Sequence, residues 1–331
     1  MSLLTSWLTS PPPDAAIEIT PERVSAAALT SRGGSRLQAH AAEGLPAGAV
    51  VPLLASQNIH DPAAVTAAVR AALGRLGTRP SRVALIIPDI AARVSVIRFD
   101  QVPARRDDLD QLVRWQVRKS APFPVDEACV TYTPGRRGPD GTEFVVVMAR
   151  RDVVTEYEMA CVDAGVQPGL VDLATLSVLN LVLASSGHAV GLPRRSVEDA
   201  KAGDWLVVHM RPEYTSIAIL RDGALIFFRN RPEGDDETLT DVVHQTAMYY
   251  QDRLAGQGFA RALLGGSGRT AGAVDQARRG LEERLGTGVE PIDPTAAVAL
   301  PDRIAVSSDV MDVLAPLAGI LLRTHHEAVS A

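Results

Sequence analysis

"AIEITPERVSAAALTSRGGSRLQAHA" (residues 16–41) and "WLVVHMRPEYTSIAILRDGALIFFRN" (205–230) share one layout, about half the chain apart. In each, a β-like run (ending at Ile19; Trp205–Val208) meets a polar break, the second of them His209–Tyr214. A second run follows (Val24–Leu29; Thr215–Leu220), then a tight turn (Gly33-Gly34; Asp222-Gly223) and a third run. Gly-Gly and Asp-Gly tolerate the positive φ of two-residue hairpins, so each stretch predicts three meandering strands. Helical patterns come next, "DPAAVTAAVRAALGRLG" (61–77) and "DETLTDVVHQTAMYYQDRLAG" (236–256). The second helix leads to a strand at Ala260–Leu264 and then to "LLGGSGR" (263–269). There Gly265, Gly266, Ser267 and Gly268 leave the main chain open to a phosphate or a ribose.

Composition limits what such a chain can do. Its 331 residues suffice for two or three domains, and 46% hydrophobic with 22% charged residues reads as globular. The net charge is −6 with acids and arginines interleaved, so no basic stripe points to nucleic acid. Aromatics, at 4%, are too few for a base-stacking platform. Cys129 and Cys161 read as reduced, buried thiols rather than a disulfide or metal site. No apolar run reaches the roughly 20 residues of a membrane span. "LVDLATLSVLNLVLA" (170–184) is broken by Asp172 and Asn180 and reads as a core helix, so the chain is expected to be cytoplasmic. Leu3, Leu4, Trp7 and Leu8 share a helical face before Pro11–Pro13. With no Lys or Arg to attract anionic lipid, residues 1–15 read as a loosely docking tail rather than a membrane-resting helix.

The material between the triplets has its own pattern. "RVALIIPDIAARVSVIRFDQVP" (82–103) predicts two strands around a break. "ARRDDLDQLVRWQVRKSA" (104–121) predicts an amphipathic helix with Leu109, Leu112, Val113 and Val117 on its inner stripe. A hairpin across residues 136–141 and a helix over 152–164 complete a small α+β unit. Three strands plus helices, repeated, resemble the actin-like fold: an α/β, ribonuclease H-like duplicated architecture of two domains. That assigns 16–80 plus 165–200 to a first domain, with a C-terminal helix (309–327) packing back on it. Residues 81–164 form an inserted subdomain and 201–308 a second domain.

Four dispersed stretches carry a narrower resemblance. "RVALIIPD…VSVIRFDQVP…DDLDQLVRWQVRKSAPFPVDEACVTY", "TSIAILRDGALIFFRNRPEG", "LLGGSGR" and "LAPLAGILLR" (314–323) together are similar to the PilM family, actin-like cytoplasmic proteins of type IV pilus machines. The cytoplasmic part of the type II secretion protein GspL shares that fold. The resemblance implies a scaffold, held peripherally at the inner membrane, that binds the N-terminal cytoplasmic tail of a PilN-like protein and connects to the motor ATPases. The tail would lie in a groove bordered by the inserted subdomain, with Val113, Trp115, Arg118, Phe123 and Tyr132 as candidate contacts.

Nucleotide-binding relatives resemble Asp-Ile-Gly-Ser-Ser at the first break and Asp-Val-Gly at the second. Here the first reads Glu18-Ile19-Thr20-Pro21-Glu22, and the second reads His209-Met210-Arg211-Pro212. Pro21 has no N–H to donate, and Glu22 adds negative charge where phosphates would lie. In the resembled fold the two breaks approach the phosphates and the glycine loop approaches the adenosine, so Glu18, Thr20 and Arg211 are what is left of the phosphate loops, beside the intact glycines of "LLGGSGR". No catalytic residue, metal site or cofactor is therefore expected. Two rivals stay open: an actin-fold ATPase whose ATP·Mg²⁺ state gates partner binding, and a GspL-like type II secretion subunit.

Overall fold

The computed structural model describes residues 13–30, 35–186, 203–234, 238–266, 271–301 and 307–330. The readings of Leu3–Leu8, the Gly33-Gly34 turn, Ser267 and Gly268 fall outside the described residues.

Along the chain, β1 (Ala15–Ile19), β2 (Arg23–Thr30) and β3 (Arg36–Gly44) form an antiparallel meander. Next come α1 (Pro62–Arg75) and β4 (Arg82–Ile87). Asp61 starts α1 by accepting the Ala64 N–H at 2.9 Å, with Pro62 fixing the first helical φ. The inserted unit contains β5 (Ala92–Phe99), α2 (Arg106–Arg118), β6 (Ala128–Gly138) and β7 (Gly141–Arg150). After α3 (Arg151–Asp163), the chain returns through β8 (Gln167–Leu173) and α4 (Ala174–Ser185). The second meander is β9 (Asp204–Met210), β10 (Tyr214–Arg221) and β11 (Ala224–Pro232). It is followed by α5 (Leu239–Leu254), β12 (Phe259–Gly266), α6 (Ala271–Leu285), β13 (Val289–Pro291) and α7 (Ser308–Ser330).

The two halves repeat one plan. Their five-stranded sheets have the orders β3-β2-β1-β4-β8 and β11-β10-β9-β12-β13. In both, the meander is antiparallel and the later strands run parallel to the meander's first strand. Three details differ from the sequence expectation. First, β4 is a central strand of the first sheet, between β1 and β8, and does not belong to the inserted unit. Its run Val83–Ile87 is at most 2% exposed, because parallel strands covered on both faces need unbroken apolar sequence. Second, residues 170–184 are not one helix, since the strand β8 ends at Leu173 and α4 begins at Ala174. Third, His209 and Met210 still belong to β9, which shortens the second break to 211–213.

The three-stranded sheet β5-β7-β6 carries α2 on one face, where Val113 and Val117 meet Phe99, Phe144, Val146 and Met148. Its other face, with Val96, Val145 and Val147, packs on the main core, and β11 of the second sheet runs against β5 and β6. The main core is closed by α7, which crosses α4 and covers β1 and β2 with Leu314, Leu317, Ile320 and Leu321. The crossing is close: a Cβ on Gly319 would stand 1.8 Å from the Ser177 carbonyl oxygen. Only glycine allows that approach.

Candidate functional site

In open α/β sheets ligands gather at the carboxyl ends of the parallel strands. Here those ends face each other across the two sheets. Glu18 is near the end of β1, Asp89 follows β4, and Thr175 opens α4 just after β8. From the second sheet come His209 at the end of β9, Arg211 beyond it, Tyr214 and Ser216 at the start of β10, and Asn230 on β11.

These groups are tied to one another. The Arg211 guanidinium donates to the Glu18 carboxylate in an ion pair whose side chains are 3% and 2% exposed. Asp89 is fully buried, and its carboxylate accepts the Thr175 N–H (2.9 Å), the Thr175 hydroxyl and the Ser216 hydroxyl (2.6 Å). The main chain of Asp89 adds two more links: its N–H donates to the Tyr214 hydroxyl (3.2 Å), and its carbonyl accepts from Asn230 Nδ2 (2.9 Å). Thr175 Oγ1 also meets His209 Nδ1 at 2.7 Å. With the Thr175 proton given to Asp89, His209 must carry its own proton on Nδ1. Burial, reinforced by the Arg211 charge, holds His209 neutral, well below its ordinary pKa. Burial also pushes the Glu18 and Asp89 carboxyls up, against the downward pull of Arg211 on Glu18 and of the Ser216 and Thr175 hydrogen bonds on Asp89.

Little room is left between the two breaks. The space lined by Glu18, Thr20, Pro21, Arg211, Pro212 and Tyr214 measures about 10 Å³, enough for one water. Thr20 is occupied locally, since its hydroxyl donates to the Arg23 carbonyl (2.9 Å) and accepts the Arg23 N–H (3.2 Å). Of the residues read as phosphate-loop remnants, Glu18 and Arg211 meet each other, and Thr20 closes its own turn.

Gly265 and Gly266 differ from the sequence expectation. They are the end of β12, opposite His209 and Met210, rather than a loop. A Cβ on Gly265 would meet Ile292 Cδ1 at 2.9 Å, and one on Gly266 would meet Met210 Cβ at 3.0 Å. The glycines therefore let Ile292 and Met210 pack directly against the end of β12. The Gly266 N–H donates to Asp312 Oδ1 of α7 (3.2 Å). Beside this strand end lies a larger hollow of about 300 Å³, lined by Met210, Thr215, Arg231, Leu239, Thr240 and Gln276 among others.

Asp312 gives a pH prediction. Burial raises its carboxyl to about 6, above the roughly 3.9 of an unfolded aspartate. The folded state thus holds an extra proton between those values. The stabilisation from that proton is complete only below about pH 3.9 and is lost as pH rises from there through 6. Asp312→Asn keeps an acceptor for Gly266 but cannot ionise. Its stability relative to the native chain should grow by about 2 kcal/mol from pH 4 to pH 7, read from urea unfolding at both values.

The five candidate partner contacts do not form one surface. Val113 is fully buried in the core of the inserted unit. Trp115 is 57% exposed, with Lys119 Nζ 4.3 Å above its ring, and Arg118 is exposed nearby. Phe123 is half-buried against the unit's core. Tyr132 lies elsewhere, its ring edge-on to Phe144 and its hydroxyl donating to Asp110. Residues two apart on a helix point to opposite sides, which separates Val113 from Trp115. Asp241, one turn from His244, is engaged in a capping box with Thr238 at the start of α5.

Sequence reasoning missed Asp89, Thr175, Tyr214, Ser216 and Asn230. Only an acid one proline past an unbroken apolar run, in "RVALIIPD", signalled the first. Among the described residues no three His, Cys, Asp or Glu side chains are grouped to hold a metal, and no helix is long and apolar enough to cross a membrane.

The family model for the type IV pilus assembly protein PilM matches residues 16–255. The chain belongs to the PilM family. Among solved structures, a "PilM-PilN type IV pilus biogenesis complex" matches with TM-score 0.77 and 18% identity, over 94% of this chain and 98% of that one. The cytoplasmic domain of EpsL, from the type II secretion system of Vibrio cholerae, matches with TM-score 0.47 and 8% identity over 96% and 94%. A Bacteroides thetaiotaomicron protein with an actin-like ATPase fold matches with TM-score 0.48 and 10% identity over 88% and 93%. No curated protein matches by sequence. The fold of this PilM-family chain is actin-like, in agreement with the duplicated three-strand pattern of its sequence.

Proposed function

We propose that this PilM-family chain is a non-hydrolysing scaffold of a type IV pilus inner-membrane platform. It acts in the cytoplasm, binds the N-terminal tail of a PilN-like membrane protein, and is held at the membrane through that partner. From there it links the platform to the motor ATPases. The observation that carries the non-hydrolysing part is the buried Glu18–Arg211 pair, which occupies the place between the two breaks where phosphates would bind. Family membership supports the pilus part. The tail is best received on the inserted unit where Trp115, Arg118 and Phe123 are accessible.

A nucleotide-gated scaffold is the second reading, favoured by the 300 Å³ hollow beside Gly266, which falls at the low end of small-ligand pockets. Isothermal titration separates the two. The scaffold reading expects no heat with millimolar ATP·Mg²⁺ and micromolar binding of a PilN-like tail peptide, weakened about tenfold (about 1.4 kcal/mol) by Trp115→Ala. ATP binding tighter than roughly 100 μM, removed by Gln276→Trp in the hollow, would replace it with the gated reading.

A further inference from the structure

The inserted sheet ends in an edge strand that has no ladder partner on its outer side among the described residues. Strand β6 pairs with β7 alone among the described residues. β11 approaches β6 without joining it in a ladder. Edge strands are commonly blunted by bulges, prolines and charges. β6 has all three in its distal half, where Pro134 stands at a register shift and Arg136 and Arg137 follow. Its proximal half, Cys129–Thr133, has none, and its Val, Thr and Tyr residues favour strand pairing.

A groove runs beside this unprotected stretch. About 560 Å³ in volume, it lies between α2 and β6. Leu109 and Val130, both half-buried, give it an apolar middle, and the exposed Arg106 and Arg114 line it from α2. Asp110 is the only acid in the lining, and it accepts the Tyr132 hydroxyl. The two arginines are eight positions apart, roughly 12 Å along a helix axis. On an extended strand, side chains four positions apart share a face and are separated by about 13 Å. The spacings match.

We infer that the β6 edge and the α2 groove form a docking site for an extended, acidic partner segment, added as a fourth strand of the inserted sheet. The segment carries carboxylates at positions i and i+4, facing Arg106 and Arg114, and an apolar residue at i+2 over Leu109 and Val130. Main-chain hydrogen bonds to Cys129–Thr133 supply the pairing, and the arginines supply register. This site is separate from the Trp115 face assigned above to the PilN-like tail, and its test uses other residues.

The probe is a labelled peptide, Glu-Thr-Val-Thr-Glu-Thr, titrated with the full chain by fluorescence anisotropy. The expected result is saturable binding, weakened at least tenfold in Arg106→Glu/Arg114→Glu, with no binding by the peptide that has Lys for both Glu. Backbone N-methylation separates strand addition from simple charge pairing. Successive amides of a strand point to opposite edges. Methylating one alternate set should abolish binding, and methylating the other should leave it intact. Unchanged unfolding midpoints show that the exposed substitutions leave the fold alone. Equal binding by the Lys peptide, tolerance of both methylation patterns, or no binding at millimolar protein would overturn the proposal. So would a concentration-dependent dimer dispersed by the Arg substitutions, which would assign the edge to a second copy of the chain.

Discussion

Arg211→Ala should destabilise the protein by about 3–5 kcal/mol, the cost of leaving one charge of a buried pair without its partner. Glu18 is 1% exposed and one of its carboxylate oxygens, Oε2, already has no hydrogen-bond partner among the described residues. Without the guanidinium, burial dominates and its pKa rises further than it does in the native chain. A carboxyl raised in the folded state is stabilising when protonated and loses that contribution as pH increases through its folded value. The variant should therefore be least stable near neutral pH and recover toward the native value as pH falls from the raised folded value toward the roughly 4.3 of an unfolded glutamate. Glu18→Leu/Arg211→Met tests the origin of the effect. Two apolar side chains of similar bulk remove both desolvation penalties, so this double variant should lie within about 1 kcal/mol of the native chain. If the double variant is as unstable as Arg211→Ala, the pair is not the source of the loss. Urea unfolding midpoints at pH 5 and pH 7.5 decide it.

Asp89→Ala should have a comparable effect, about 3–5 kcal/mol, for a different reason. Its carboxylate is the common acceptor of the Thr175 N–H, the Thr175 hydroxyl and the Ser216 hydroxyl. Thr175 is less than 1% exposed, as is Ser216, so the orphaned donors cannot turn to bulk water. Each buried donor left unsatisfied costs roughly 1–3 kcal/mol. Ser216 belongs to the second sheet and Thr175 to the first lobe, so the loss falls on the contact between halves. Asp89→Asn retains one acceptor oxygen and should recover about half of the loss. Small-angle scattering supplies a second readout. An increased radius of gyration in Asp89→Ala, reduced again in Asp89→Asn, would show that Asp89 holds the lobes together rather than merely supporting β4.

The sequence revealed the duplicated meanders because hairpin turns and apolar runs are local signals. Asp222-Gly223 and the runs around it need no distant partner to be recognised. Placing β4 in the first sheet required something that local pattern lacks. "RVALII" is followed at once by another strand-like run, and only pairing with β1 and β8 separates the two. The site was less legible still. Glu18 and Arg211 were singled out as damaged remnants of two loops, but their union across 193 positions of sequence is a property of how the lobes meet. Asp89, Ser216 and Asn230 carry no motif, and their common purpose exists only in three dimensions. The glycines of "LLGGSGR" suggested an open loop, and at Gly265 and Gly266 the missing side chains instead admit Ile292 and Met210.

The path of α7 has a consequence for how the molecule is made. The apolar surface of β1, β2 and α4 is covered by a helix that begins at Ser308, after every strand of the second sheet. During synthesis, the first lobe must emerge from the ribosome incomplete and wait while the rest of the chain is translated. At roughly 5–20 residues per second, the interval between the end of α4 and the end of α7 lasts on the order of ten seconds. Throughout it, the face destined for Leu314, Leu317, Ile320 and Leu321 stays uncovered and available to a chaperone.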